Sequence, residues 1–381
     1  MSEAGSAASS AAGRSESDRL NKGSWLTQLV RKPEIGAFSG MIVLLIFLAV
    51  VAGNVVYNPL GIKNNLGIIS QLGIISIGAC LLMIAGEFDL SIGSMIGFAG
   101  MSMAMMMKWG LPFGLGEATP IMAFFITLAL TLGIGWIIGM IVVRSGLSSF
   151  IVTLGFLFIL RGLTEVSFRT FNEGSTQISG LPDFKQTDWF ANLLGGESFG
   201  FVYDFLYWTG WNVNRNGDQW VTGLDAKVAW WLVLAFLAFI VLSRTQLGNW
   251  IYATGDNKES ARANGVPVNQ VKIGLFMFTA FCATLFAACQ VFDTNTADAA
   301  KGVLKELEAI AAAVVGGAIL TGGFGSVIGA VFGAVIFGLV QNSVFYISWI
   351  DGSYYRVFLG TVLLIAAFAN ENIRKRFTGG I

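Results

Sequence analysis

Long apolar stretches separated by short polar connections make up most of the chain after residue 35. Several of them run for close to twenty residues with few or no charged side chains. An α-helix needs about 20 apolar residues to cross a hydrocarbon core of ~30 Å, so the pattern predicts an all-α polytopic membrane protein. About ten transmembrane helices are predicted, near residues 36–57, 66–85, 91–108, 121–143, 147–167, 228–243, 271–292, 309–322, 324–347 and 355–370.

Basic residues orient the predicted helices, because short loops rich in Lys and Arg stay in the cytoplasm. Ten crossings place both termini on one side, and with the N-terminus inside, the cytoplasmic segments hold 13 of the 23 Lys and Arg residues. The largest outside loop, residues 168–227, instead carries seven acidic residues and four basic ones. Both termini are therefore predicted to be cytoplasmic, although the short eighth stretch leaves eight or nine crossings open.

Three regions follow from this topology. Residues 1–34 are rich in Ser, Ala and Gly near their start and lack an apolar core, which predicts a disordered cytoplasmic tail rather than a cleaved signal peptide. Residues 35–373 form the predicted transmembrane domain, and residues 374–381 form a short cytoplasmic tail. The outside (periplasmic) loop carries four tryptophans, which fit either aromatic-belt residues at the headgroups or a flap anchored on the membrane surface.

Composition supports a membrane protein and narrows its chemistry. Hydrophobic residues make up 55% of the chain, charged residues only 12%, and the mean hydropathy is +0.70. The net charge is zero, so nothing indicates a nucleic-acid partner. The chain has no histidine, which removes the usual general base and the commonest metal ligand, so neither a catalytic nor a metal site is predicted. The three cysteines lie in apolar stretches and are interpreted as packing residues.

Two carboxylates interrupt the apolar pattern in the segment GEFDLSIGSMIG, residues 86–97. Asp89 precedes a helix-forming run, so its side chain is predicted to accept hydrogen bonds from the backbone amides of residues 91 and 92. A helix break at membrane depth also offers amides and a carboxylate that suit the hydroxyl groups of a polar solute. The two interpretations are compatible, and Glu87 is less well explained than Asp89.

The segment GSMIG at residues 93–97 recurs as GSVIG at residues 325–329, and each copy opens an apolar helix. A Gly-interrupted apolar segment precedes each copy, and the second of these, residues 309–322, is unusually short. Short or broken apolar segments at matching places in two halves indicate the central site of a transporter. The recurring segment is either part of such an internal repeat, with both copies running in the same direction, or a chance similarity between two helices rich in small residues.

The cytoplasmic loop 244–273 contains the signal of a short helix. Asp256 or Asn257 is predicted to cap the helix KESARAN, Gly265 to end it in the left-handed conformation, and Pro267 to prevent its continuation. A two-turn helix between two membrane spans is either a docking knob for a soluble protein or only a capped loop.

Further charged residues lie near helix ends on the outer side. Arg161, Glu165 and Arg169 are spaced four apart, which predicts a ladder of ion pairs or a docking place for an external partner. Glu306 and Glu308 precede the short eighth span, where acidic side chains complement the helix dipole.

Three of these segments also carry family motifs. The element G-(G/E)-(I/F)-D-L-S-(V/I)-G-S corresponds to Gly86–Ser94, and the cytoplasmic motif A-x-G-x-N-x-x-(A/S)-A-R-x-x-G-(I/V)-x-V corresponds to Ala253–Val268. The element E-L-(D/E)-A-I-A-A-x-V-(I/V)-G-G…G-G-x-G-S-x-x-G corresponds to Glu306–Gly329. With the motifs in this order, the chain resembles the permease subunits of ribose-type ABC sugar importers from about residue 36 to its C-terminus.

The resemblance implies a function and a set of partners. It implies import of a monosaccharide, a pentose or a hexose, across the bacterial inner membrane by alternating access. The implied partners are a cytosolic ABC ATPase, a periplasmic sugar-binding protein, a second permease copy in a homodimer, and membrane lipid. The capped helix resembles the coupling helix that docks on the ATPase, and the residues expected to take part are Gly255, Asp256, Asn257, Glu259, Ala261, Arg262 and Gly265. The expected solute path includes Glu87, Asp89, Ser91, Ser94, Thr153 and Glu308.

Two departures from the family pattern limit which properties of the family can be expected of this chain. Asp256 stands where family members often have Gly. The outside loop is several tens of residues longer than in compact members, at the place where a binding protein docks. The second departure argues against transferring the identity of the sugar.

The chain contains no GxxxxGK[ST] phosphate-binding loop, so it is expected to be a transport subunit without its own ATPase activity or cofactor. One alternative is an ion-coupled secondary transporter of a small polar solute, which needs intramembrane carboxylates such as Glu87 and Asp89. An intramembrane enzyme is the other, and the missing histidine and the lack of a nucleophile with its base argue against it.

Overall fold

The computed structural model describes residues 33–111, 114, 116–347 and 351–377 of the chain. Within these residues the structure consists of α-helices with a few two-residue strands, which confirms the all-α prediction. The predicted N-terminal tail lies outside the described residues apart from its last two positions. The helices are α1 (Pro33–Val51), α2 (Asn54–Tyr57), α3 (Pro59–Ile84), α4 (Ile92–Trp109), α5 (Pro120–Ser145), α6 (Ser149–Phe171), α7 (Phe184–Thr187), α8 (Trp189–Gly195), α9 (Gly200–Trp208), α10 (Ala226–Arg244), α11 (Gln246–Asp256), α12 (Lys258–Ala263), α13 (Val268–Thr294), α14 (Lys305–Val315), α15 (Val327–Ser343) and α16 (Tyr354–Phe377). The strands are β1 (Gln177–Ile178), β2 (Glu197–Ser198), β3 (Leu224–Asp225) and β4 (Ala297–Asp298).

Seven of the described helices are long and apolar enough to cross a membrane, namely α1, α3, α5, α6, α10, α13 and α15. They correspond to seven of the predicted spans and identify a multi-pass membrane protein. The other three predicted spans correspond to α4, to the 11-residue helix α14, and to α16, whose apolar part runs from Tyr354 to Ile365. The count of ten crossings stays a prediction.

Turn and capping residues move two helix boundaries from their predicted places. The first helix ends at Val51 rather than near residue 57, because Gly53 adopts a φ of 64° and interrupts it. The second starts at Pro59 rather than near residue 66. Asn58 caps this helix by accepting a hydrogen bond from the Gly61 amide at 2.7 Å, and proline suits the first helical position.

α3 and α13 form the centre of the molecule, since 89% and 83% of the residues in their apolar windows are buried. Small residues allow their close approach, because a Cβ atom at Gly78 of α3 would lie only 3.0 Å from the Cys282 sulfur of α13. Cys80, Cys282 and Cys289 are free and buried, as the packing interpretation predicted. α1 is only 11% buried, so most of its apolar surface is available to lipid.

The loop 168–227, which the sequence predicts to lie outside the membrane, is folded. It contains α7, α8 and α9, and β1 pairs with β4 shortly before α14, whereas β2 pairs with β3 within the loop. The Asn212 side chain makes three hydrogen bonds to the surrounding backbone of the loop. Lys227 pairs with Asp225 at 2.9 Å and with Asp293 at 2.8 Å, so the base of the loop is clamped to α13.

Candidate functional site

The candidate site is built around a break between two helices, as the sequence predicted. α3 ends at Ile84 and α4 begins at Ile92, and the connecting segment lies within the core. Gly86 adopts a φ of 81°, a conformation that favours glycine. Glu87 and Asp89 are 9% and 7% exposed, so two carboxylates are buried here and each needs partners.

Asp89 is held by three hydrogen bonds. Its Oδ1 accepts from the amide and the hydroxyl of Ser91, at 2.8 and 2.5 Å, and its Oδ2 accepts from the Thr279 hydroxyl of α13 at 2.7 Å. The predicted hydrogen bond from the amide of residue 91 is present. The prediction for residue 92 is wrong within the described structure, because Ser91 rather than Asp89 is the N-cap residue of α4.

Glu87 forms a buried ion pair with Lys272 of α13. The two side chains are 12% and 13% exposed, and the neighbouring Phe88 donates its amide to the Ser149 hydroxyl at 3.1 Å. Lys272 and Thr279 are about two helical turns apart, so both reach the same break. The segment is thus fixed to α13 at two points, and Lys272 explains why a carboxylate stands at position 87.

Ser94 and Thr153 are buried, and both bond to backbone carbonyls of α6. The Ser94 hydroxyl donates to the Leu157 carbonyl at 2.8 Å, and the Thr153 hydroxyl donates to the Ser149 carbonyl at 2.8 Å. The residues predicted to line the solute path therefore separate into two places. Five of them lie around the break and the α4–α6 contact, whereas Glu308 lies on α14, at the end that carries the outside loop.

The short helix α12 forms in the loop 244–273 as predicted. Asn257 caps it rather than Asp256, since its side chain accepts from two amides of the first turn at 3.1 and 3.0 Å. Gly265 follows the helix with a φ of 81°. Of the predicted coupling residues, Asp256, Asn257, Glu259, Arg262 and Gly265 are exposed, Gly255 is half-buried and Ala261 is buried.

Gly255 joins α11 to the break. A Cβ atom at this position would lie 1.8 Å from the Ile84 carbonyl oxygen and 2.6 Å from the Gly323 amide nitrogen, so a larger residue does not fit. The Gly323 amide donates to the Ile84 carbonyl at 2.8 Å, and the Tyr252 hydroxyl of α11 donates to the Gly325 carbonyl at 2.8 Å. The predicted coupling loop therefore contacts both the break before α4 and the glycine-rich turn before α15.

The two similar segments, residues 93–97 and 325–329, pack in the same way at their glycines. A Cβ atom at Gly97 of α4 would lie 2.3 Å from a carbonyl oxygen just after β4, and one at Gly329 of α15 would lie 1.8 Å from the carbonyl oxygen that follows α14. Their helix starts differ. Ser94 lies inside α4, whereas Ser326 is the N-cap of α15 and accepts from the Gly329 amide at 3.0 Å. The likeness extends to close backbone packing but not to capping.

The first turn of α14 carries its two acidic residues on different sides. Glu308 accepts a hydrogen bond from Lys305 at 2.5 Å. Glu306 instead lies against α4, where a Cβ atom at Gly93 would be 2.0 Å from its Oε2. The two carboxylates therefore belong to two different environments.

The predicted ladder on α6 is present only in part. Arg169 and Glu165 approach to 3.8 Å. Arg161 is not paired with Glu165 within the described residues, and one nitrogen of its guanidinium is buried there without a hydrogen-bond partner. The spacing of four residues therefore predicted one of the two ion pairs correctly.

Known proteins similar to the chain are membrane permeases. Residues 61–367 match a family model described as "Branched-chain amino acid transport system / permease component". The ribose import permease protein of Haemophilus influenzae is 30% identical over 298 residues, which cover 78% of this chain and 80% of that protein. The ribose import permease protein of Bacillus subtilis is 27% identical over 339 residues, covering 89% and 92%. The D-allose transport system permease protein of Escherichia coli K12 is 30% identical over 293 residues, or 77% of each chain. No solved structure is significantly similar.

Proposed function

The chain belongs to the family of permease components of branched-chain amino acid transport systems, and on that premise we propose that it is the membrane-spanning subunit of an ATP-driven sugar importer. A separate ATPase hydrolyses ATP, and this chain moves the solute by alternating access. The observation that carries the proposal is the contact at Gly255. Through it, a movement of α11 and α12 is transmitted directly to both helix breaks.

A monosaccharide, rather than an amino acid, is the proposed cargo. The three relatives described above are named for ribose or D-allose. An amino acid carries an ammonium group that needs a carboxylate partner, and both carboxylates at the break already have partners. Glu87 is paired with Lys272, and Asp89 accepts from Ser91 and Thr279.

The proposed arrangement has about ten helices in the bacterial inner membrane and both termini in the cytoplasm. α12 then faces the cytosolic ATPase, and the loop 168–227 faces a periplasmic sugar-binding protein. A second copy of the permease completes a homodimer. Lipid contacts the peripheral helices, of which α1 is 11% buried in its apolar window.

The same bonds weaken the alternative of an ion-coupled transporter. A proton or Na⁺ site needs a carboxylate with room for the ion. Occupation of Glu87 would break its pair with Lys272, and occupation of Asp89 would displace a hydroxyl or amide donor.

Arg262 tests the coupling role of α12. Among the described residues its guanidinium is bonded only to Glu259 at 3.1 Å and to Asn269 at 2.9 Å, and its side chain is 45% exposed. Charge reversal by Arg262→Glu is expected to lower ATP hydrolysis stimulated by the sugar-loaded binding protein several-fold in the reconstituted complex, because complementary charges across an interface become repulsive.

Arg144→Glu is the matched control. It reverses the charge of an exposed arginine on the predicted cytoplasmic side but outside the coupling loop, and is expected to leave stimulation unchanged. Full stimulation of the Arg262→Glu complex would refute the assignment of α12 to the ATPase.

A further inference from the structure

A cavity of about 530 Å³ lies where α15 ends and where α14 and α16 begin. It is on the side of the outside loop, because β4 pairs with β1 of that loop shortly before α14. Its wall includes Lys305 and Glu308 of α14, Gln341 of α15, Phe345 in the 3-10 turn that follows α15, and Tyr355 of α16. The volume falls within the ~300–1,000 Å³ typical of small-molecule sites.

Two polar atoms in this wall are buried without a hydrogen-bond partner among the described residues. They are the Tyr355 hydroxyl and the Gln341 side-chain oxygen. Tyr355 is only 8% exposed, and its hydroxyl lies beside the Glu308 carboxylate without a well-formed hydrogen bond. Buried polar groups are nearly always paired, so two unpaired groups beside one cavity favour a polar ligand there, which each side chain reaches by a rotation because both atoms are covered in this conformation.

Charges around the cavity cancel. Glu308 is 4% exposed and pairs with Lys305 at 2.5 Å, and the rim adds Asp351 and Arg356, one charge of each sign. Hydrogen bonds from Ser353 lower the pKa of Asp351, so this carboxylate stays charged at neutral pH. Because the sum is zero, the site has no net attraction for an anion or a cation, and the pairing of Glu308 with Lys305 leaves neither of these two charges free for a charged ligand.

We propose that this cavity is an entry site in which a neutral monosaccharide is held after it leaves the binding protein and before the path through the bundle opens. The proposal rests on the import function proposed above. Glu308 and Gln341 accept hydrogen bonds from sugar hydroxyls, and the Tyr355 hydroxyl both donates and accepts. The ring of Phe345, 73% exposed, presents an electron-rich face to the C–H groups of the sugar.

Saturation-transfer NMR on the purified full chain in lipid nanodiscs tests the site directly. The probes are D-ribose and D-allose, with leucine as an amino-acid control, and we expect at least one sugar but not leucine to bind. Tyr355→Phe removes a single hydroxyl and is expected to weaken sugar binding about three- to tenfold, the change for one hydrogen bond.

Tyr354→Phe is the matched control, because it removes the same group from the adjacent residue, which is 61% exposed and borders a different cavity. This variant is expected to bind sugar like the unaltered chain. Phe345→Leu changes an exposed residue that does not support the core, and it is also expected to weaken binding several-fold.

Three results overturn the entry site: binding of neither sugar, binding of leucine in their place, or equal sugar binding by the Tyr355→Phe, Phe345→Leu and Tyr354→Phe variants. ATP hydrolysis stimulated by the loaded binding protein, measured on complexes of the same preparations, separates this failure from that of the import function. If stimulation is intact, only the entry site is wrong. If no sugar stimulates hydrolysis, the import function fails as well.

Discussion

At the scale of residues, the pair of Glu87 and Lys272 determines how the break is held. Both side chains are largely buried, so neither charge is hydrated well enough to remain alone. Their attraction offsets the cost of removing two charges from water, which leaves a small net contribution from the intact pair. Loss of one partner has a larger effect, because it leaves an unpaired charge within the core.

Glu87→Gln is therefore expected to destabilise the permease by roughly 3–5 kcal/mol, whereas the double variant Glu87→Gln/Lys272→Met is expected to recover most of that loss. Thermal unfolding of the purified permease in detergent, followed by tryptophan fluorescence, measures both. If the Glu87→Gln variant has the same melting temperature as the unaltered chain, the two side chains are not paired in the protein.

These residues also show which features of the helix break could be predicted from the sequence alone. The carboxylates at positions 87 and 89 stand out from an apolar stretch, so a helix break there was predictable. Their partners were not, because Lys272 and Thr279 lie 185 and 190 residues further along the chain. Periodicity and capping rules describe neighbours in sequence and carry no information about contacts at such separations.

At the scale of elements, close backbone contact links α11 to the helix breaks. Gly255 is where this contact is tightest, since its Cα faces the end of α3 and the turn before α15. Gly274 of α13 makes a useful comparison, because a Cβ atom there would meet nothing within 4 Å among the described residues. Replacing each glycine by alanine therefore distinguishes the effect of the close contact at Gly255 from the effect of the higher helix propensity of alanine.

Gly255→Ala is expected to push α11 away from Ile84 and to lower both sugar-stimulated ATP hydrolysis and sugar uptake several-fold in proteoliposomes. Gly274→Ala is expected to leave both rates unchanged and to stabilise α13 by about 0.5–1 kcal/mol. Equal rates for the two variants would show that the Gly255 contact does not transmit the movement of the coupling loop.

Element types were predictable where apolar stretches were long, and boundaries were not. α1 ends early because of Gly53, and α3 starts early because Asn58 caps it. A hydropathy average over many residues does not detect such single-residue features. The pairing of β1 with β4 joins residues 177–178 to residues 297–298. Two-residue strands have no periodicity to read, so the folded character of the outside loop was not predicted.

At the scale of the whole molecule, the two ends differ in structure. One end carries the exposed helix α12 and the Gly255 contact. The other carries the folded loop, clamped through Lys227, and the cavity beside Glu308 and Tyr355. An importer that receives solute outside and energy inside requires this polarity, and we propose that ATP hydrolysis by the partner at the end with the loop 244–273 drives uptake.

Uptake of radiolabelled sugar into proteoliposomes is the measurement that tests whether ATP drives import. The liposomes hold the permease with its ATPase and enclosed ATP, and the sugar-loaded binding protein is added outside. We predict uptake that stops when ATP is replaced by a non-hydrolysable analogue and that continues when proton and Na⁺ gradients are collapsed. Uptake driven by an ion gradient in the absence of ATP would contradict ATP-driven import by this permease.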